Sequence, residues 1–294
     1  MLQLTDINRS FGERRVLTDV SFSVEGARMT GFVGGNGAGK TTTMRVILGV
    51  LAPDSGEVTL NGSPVTATQR QNFGYMPEER GLYPKMKVGE QIAYLGRLHG
   101  MPAAAATKSA TDLLEKLGLG ERLGDTVESL SLGNQQRAQI AAALVHEPDV
   151  LILDEPFSGL DPIAVEVVLG VLKDFASRGA PVLFSSHQLD IVERLCDDLV
   201  VIADGTIRAR GSREQLRAEH TTPRYELQSA GDVGWLRQEA GVTVEEFDGG
   251  YALFGVDDEA VAQRVLAKAV AEASVSRFAP VVPSLAQIFR EVIK

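Results

Sequence analysis

The run Gly34-Gly35-Asn36-Gly37-Ala38-Gly39-Lys40-Thr41-Thr42 fulfils the G-x-x-x-x-G-K-[ST] spacing of a phosphate-binding loop. Gly34, Gly37 and Gly39 let the backbone turn its N–H groups inward around phosphate oxygens, and a helix starting there adds the positive end of its dipole. Lys40 is placed to reach the outer phosphates of a nucleoside triphosphate, and the Thr41 hydroxyl to ligate Mg²⁺. The alternative is a glycine-rich turn that happens to precede a lysine. The flanks favour the motif: residues 29–33 read as a short buried strand and residues 43–48 as an amphipathic helix, the strand–loop–helix context that it requires.

A second chemistry-bearing segment lies further along. Val150-Leu151-Ile152-Leu153 is wholly apolar, as in a parallel strand buried on both faces, and it ends in Asp154-Glu155-Pro156. Open α/β sheets place their ligand chemistry at carboxyl strand ends. Asp154 is therefore the candidate on the metal side and Glu155 the candidate base for an attacking water. A solvated acidic pair is the bland alternative, and the phosphate loop argues against it. In Ser129-Leu130-Ser131-Leu132-Gly133-Asn134-Gln135-Gln136-Arg137, Ser131 is a good N-cap and Gly133 permits close backbone approach. The helix expected over residues 135–145 could thus present N–H groups to a phosphate.

Together these segments, in this order, resemble an ATP-binding cassette (ABC) ATPase over residues 1–220. In that family the signature segment usually reads Leu-Ser-Gly-Gly-Gln. Ser131, Gly133 and Gln135 match, whereas Leu132 and Asn134 stand in for other residues. The resemblance implies that Phe11 stacks on adenine and that the signature segment touches the ATP of the opposite subunit. It also implies that Ser158-Gly159-Leu160-Asp161 communicates across a dimer interface, and that His187, after apolar residues 182–184, is the switch histidine near the γ-phosphate. His99, His146 and His220 match no motif position and read as surface or helix-end residues.

One position departs from the family pattern. Within Phe73-Gly74-Tyr75-Met76-Pro77-Glu78-Glu79-Arg80, Glu78 stands where the family usually has glutamine. A carboxylate there can still ligate Mg²⁺ or order water. The stretch from Glu78 to Met86 resembles cassettes that serve export permeases, including those linked to sodium or drug efflux.

These motifs need an α/β scaffold. The resemblance implies an ABC ATPase of the phosphate-loop class, with an antiparallel β subdomain and a helical insert over about residues 88–130 that docks against a permease. By pattern, residues 16–24 and 57–60 are strands. Val88 to about Leu119 reads as helical, with Val88, Ile92, Leu95 and Leu98 on one apolar face and Leu113, Leu114 and Leu117 on another. Residues 221–294 form a second, smaller α+β domain. Strands are expected at 225–228, 242–247, 251–256 and 275–279 and helices at 233–240, 260–273 and 284–293, a β-α-β-β-α-β order that suggests a ferredoxin-like domain.

Composition is consistent with this organisation. At 294 residues and 44% hydrophobic content the chain can bury a sizeable core and allows two domains. A net charge of −10 argues against a broad nucleic-acid surface. Cys196 is the only cysteine, so a reducing compartment fits, and its apolar helix turn marks it as core. No stretch is long and apolar enough to span a bilayer and the N-terminus lacks a secretion signal, so any membrane role is expected to be peripheral. The resemblance implies ATP and Mg²⁺ as ligands, a homo- or heterodimer of cassettes, and a multi-span membrane permease on a separate chain. The expected location is cytoplasmic, at the inner face of the cell membrane. A translation-type cassette usually has two phosphate loops in one chain, and a DNA-repair type has a long coiled coil between the halves of its site; neither feature is present here.

Overall fold

The computed structural model describes residues 1–79, 81–219 and 223–281. The chain divides into two compact units, Met1–Arg213 and Glu214–Lys294. The sequence reading sets that boundary a few residues later, at 220/221.

The first unit is built on a six-stranded sheet in the order Thr206–Ser212, Asp198–Ala203, Met29–Val33, Val182–Ser186, Val150–Leu153, Phe73–Met76. All pairs are parallel except the edge strand Thr206–Ser212, which runs antiparallel to its neighbour. Met29–Val33, Val150–Leu153 and Val182–Ser186 are buried at every residue, which is why they read as apolar runs without alternation. Because the strands run parallel, the segments that follow Val33, Met76, Leu153 and Ser186 all emerge at one edge. The four candidate site segments begin there.

A second, antiparallel sheet has the order Arg14–Val24, Leu2–Phe11, Ser55–Leu60, Ser63–Pro64. It shares one apolar core with the large sheet, in which Phe22 meets Phe32 at 5.3 Å between ring centroids and Met44, Ile47, Ile152 and Ile202 are fully enclosed. Side chains of this size contribute about 1.5–3 kcal/mol each on burial, so this core holds the loop-bearing strand firmly. Gly205 lies where the sheets meet. Its φ is +73°, and a Cβ there would stand 2.1 Å from the Val16 carbonyl oxygen.

The helical region is interrupted. Val88–Leu98 and Ala103–Lys116 are separate helices, broken where Gly100 adopts φ +87° and Pro102 follows. The buried stripe of the first is Val88, Ile92 and Gly96, with Gln91 beside it. Leu98, expected on the apolar face, is instead exposed because the chain turns there. The third helix, Leu132–Leu144, packs against both of these and against the strand Phe73–Met76, so it links insert to sheet. Among the described residues no helix is long and apolar enough to cross a membrane.

The second unit contains a four-stranded antiparallel sheet in the order Val242–Asp248, Tyr251–Val256, Arg224–Ser229, Val275–Val281. This is the strand order and pairing of a ferredoxin-like arrangement, with Glu259–Glu272 as its helix, capped by the Asp258 side chain and burying Val261, Ala262, Val265 and Ala269. The helix expected at 233–240 is only a 3₁₀ turn, Gly234–Gln238. Gly234 interrupts the expected helix and only six residues separate it from Gly241, while Val233 and Leu236 reach the core at a three-residue spacing. The helix expected at 284–293 lies outside the described residues.

Candidate active site

The phosphate loop leaves Val33 at the centre of the sheet and wraps the N-terminus of the helix Lys40–Ile47, whose N-cap, Gly39, has φ +112°. An L side chain is disfavoured at such an angle, and a Cβ there would also press to 2.7 Å from Leu17. Lys40 Nζ donates to the carbonyl oxygens of Gly34 and Gly35 at 2.7 and 3.2 Å, so its ammonium lies over the loop. A cleft of about 540 Å³ opens above, and it gathers Phe11, the loop, Glu78, Asp154, Glu155 and His187. Apart from the adjacent Asp154 and Glu155, each comes from a different segment of the chain. Phe11 ends its strand half exposed, with the Arg9 guanidinium 4.8 Å from the ring centroid.

The acids occupy different surroundings. Asp154 is 1% exposed: Oδ2 accepts the Thr41 hydroxyl at 3.0 Å and Oδ1 accepts Ser185 Oγ at 2.5 Å. Glu155 has φ +54°, unusual for a side chain without a special local role. Its N–H donates to Ser185 Oγ at 2.9 Å, its carbonyl accepts Gln136 Nε2 at 2.9 Å, and its Oε2 lies 2.9 Å from His187 Nδ1. Glu78 stands exposed on the loop after Phe73–Met76, and Gln139 Nε2 holds that loop through the carbonyls of Pro77 and Glu79.

The signature segment lies elsewhere. Ser131 caps its helix by accepting Asn134 N–H at 3.3 Å, and Gln135 Nε2 donates to the carbonyls of Val127 and Leu130, closing its own turn. Leu132, Gly133 and Asn134 sit on that helix's first turn beside Gly159 and Leu160, outside the cleft that holds the phosphate loop. Asp161 caps the helix Pro162–Ala176 through Ala164 N–H at 2.8 Å, and Ser158 and Gly159 are exposed before it.

Sequence reasoning missed Arg14 and Val16, which line the cleft, and Ser185, Gln136 and Gln139, which hold its acids and loops. Only Ser185 had a local signal, as one of two hydroxyls, with Ser186, that close the apolar run Val182-Leu183-Phe184. Two side expectations can be placed. Cys196 is buried, its Sγ donating to the Val192 carbonyl, and burial pushes its thiol up to about 12. His99 and His146 stack face to face at 3.7 Å.

A phosphate loop at the centre of a parallel sheet, with paired acids on a nearby strand end, is the architecture of a phosphate-loop nucleoside triphosphatase. Residues 17–158 match the family model described as ABC transporter, and residues 211–293 that described as ATP-binding protein DrrA1-3-like, C-terminal domain. Over 293 residues the chain is 35% identical to the ABC transporter ATP-binding protein YhaQ of Bacillus subtilis (strain 168), covering 100% of this chain and 98% of that one. It is 36% identical to the linearmycin resistance ATP-binding protein LnrL of the same organism, over 74% of this chain and 70% of the relative. Identity to the Nod factor export ATP-binding protein I of Burkholderia lata is 38%, over 73% and 72%. A solved ATP-binding subunit of an ABC transporter superposes with a TM-score of 0.69 at 32% identity, covering 74% of this chain and 92% of that one. The chain belongs to the ABC transporter ATP-binding proteins, which bind ATP and couple its hydrolysis to transport.

Proposed function

We propose that this cassette energises an export permease carried on a separate, multi-span membrane chain, working at the cytoplasmic face of the cell membrane as a homo- or heterodimer. The observation that carries the catalytic part is the juxtaposition of Thr41 with Asp154 and of Glu155 with His187 in one cleft above the phosphate loop. The names of LnrL and the Nod factor protein support export.

The donor set suits a hard divalent cation. Among the described residues no group of three or more His, Cys, Asp or Glu could hold a metal alone, but Mg²⁺ characteristically takes one or two protein oxygens and completes its shell with phosphates and water. Thr41, Asp154 and Glu78 would hold it, and it would neutralise charge on the outer phosphates. Lys40 and the loop N–H groups bind and orient the triphosphate, while Phe11 stacks on the base. Glu155 takes a proton from the attacking water. As the water oxygen bonds to the γ-phosphorus, the bond to the bridging oxygen breaks, and ADP leaves with those electrons. His187 supports the Glu155 carboxylate and the γ-phosphate. Ser131, Leu132, Gly133, Asn134 and Gln135 face the ATP of the opposite subunit, and Ser158, Gly159, Leu160 and Asp161 line the same interface. The exposure of Leu132 (59%) and Ile163 (79%) beside these loops suits such a contact.

Where the chain enters the insert, exposed Tyr83 and Tyr94 flank a groove of about 620 Å³ with Pro84 and Met86, an apolar surface suited to a permease segment. The test is to purify tagged Glu155→Gln protein from native membranes solubilised with ATP and Mg²⁺. Co-purification of a multi-span membrane protein is expected. Recovery of only ribosomal, DNA-bound or soluble partners would overturn the permease assignment.

A further inference from the structure

Ser185 carries no role in the mechanism above, yet it touches both acids. It is wholly buried on the strand Val182–Ser186, opposite Phe32, and two residues before His187. Its single proton goes to Asp154 Oδ1 at 2.5 Å, and a lone pair receives the Glu155 N–H at 2.9 Å. Through Asp154 Oδ2 the connection continues to Thr41 of the phosphate loop at 3.0 Å, and through Glu155 Oε2 to His187 at 2.9 Å. One hydroxyl therefore lies at the middle of a continuous hydrogen-bonded series spanning three neighbouring strand ends.

Glu155 requires such support. Its φ of +54° is costly for a residue with a Cβ and persists only where the surroundings fix it. Its peptide is gripped from both sides. Ser185 holds the N–H, and Gln136 Nε2 and the Ser158 N–H hold the carbonyl, at 2.9 and 3.2 Å. Because His187 belongs to the same segment as Ser185, one short stretch of chain holds the backbone of Glu155 and the tip of its side chain.

We propose that Ser185 is a positioning residue for hydrolysis: its hydroxyl locks the Asp154–Glu155 peptide, aiming the Glu155 carboxylate at the attacking water and fixing the Asp154 carboxylate towards Thr41. This rests on the assignment of Glu155 as base and Asp154 to the metal side. Ser185 touches neither Lys40 nor the phosphate-loop N–H groups, so its loss affects turnover rather than nucleotide capture.

The experiment compares Ser185→Ala, Ser185→Thr and Glu155→Gln in the full chain. Steady-state phosphate release gives kcat and KM, and binding of a fluorescent ATP analogue is titrated with EDTA and then with Mg²⁺. Removing a hydrogen bond to a charged group lowers kcat in Ser185→Ala by about ten- to a hundredfold. Analogue affinity in EDTA stays within about twofold, since the loop contacts are retained. Half-maximal Mg²⁺ for tightened analogue binding rises several-fold, because Asp154 loses the donor that fixes its carboxylate beside Thr41. Ser185→Thr, which keeps the hydroxyl, restores both readouts. If Glu155→Gln is inactive while Ser185→Ala keeps its kcat and Mg²⁺ dependence, the inference falls alone. It also falls if Ser185→Ala loses metal-free affinity and Tm in step with kcat, which would make the hydroxyl merely structural. Normal turnover in Glu155→Gln overturns the base assignment and this inference with it.

Discussion

Lowering the pH should destabilise this chain through His146, by an amount that follows from its surroundings. The imidazole is pushed down from 6.5 to about 4, chiefly because burial disfavours the charged ring and secondarily because His99 is stacked on it at 3.7 Å. A depressed folded-state value means that the unfolded chain binds the proton first, so the stabilising contribution is intact above pH 6.5 and is lost as pH falls from 6.5 towards 4. With 1.36 kcal/mol per unit, a shift of this size contributes about 3.4 kcal/mol in the limit and about 2 kcal/mol of loss by pH 5. Water reaching the partly covered ring reduces both figures. His146→Phe keeps a flat ring against His99 and removes the titration. Urea unfolding followed by circular dichroism at pH 7.5, 6.0 and 5.0 should therefore show the variant gaining about 1–2 kcal/mol relative to the parent chain between the first and last conditions. Parallel pH profiles for the two proteins would refute the linkage, and acid sensitivity would then belong to other groups.

Three further outcomes follow from the same geometry. Glu155→Gln preserves shape and the contact to His187 but removes the proton acceptor, so steady-state ATPase should fall by about a hundredfold or more while ATP-analogue affinity stays within about twofold; a smaller loss would exclude Glu155 as the base. Phe11→Ala should weaken ATP-analogue binding by about tenfold through lost stacking, and Phe11→Trp should retain it, as read by fluorescence titration; equal affinity in all three would place the adenine elsewhere. Gly205→Ala forces a left-handed backbone onto a residue whose Cβ meets the Val16 carbonyl, so it should cost at least about 2 kcal/mol and lower Tm by on the order of 5 °C. An unchanged Tm would mean that the two strands separate there at little cost.

What could be read from the sequence was chemistry contained in one contiguous segment. The phosphate loop is contiguous because a single turn must surround the phosphates, and Asp154-Glu155 is contiguous because one strand end presents both acids. The apolar runs before each motif reveal buried parallel strands for the same reason: burial on both faces removes alternation. The break after Leu98 was signalled by Gly100 and Pro102, but helical periodicity on either side outweighed two local residues, and Leu98 was placed on a face that the turn abolishes. The side chains that hold the acids have no such signature. Ser185, Gln136 and Gln139 act across strands and between helix and loop, at sequence separations of 31, 19 and 62 residues from their partners. No period links a hydroxyl on one parallel strand to a carboxylate on the next; only the register that sets Leu153 beside Phe184, and so carries Asp154 to Ser185, creates that contact. Reactive groups are therefore legible in the chain itself, while the groups that aim them become legible only once the sheet is assembled.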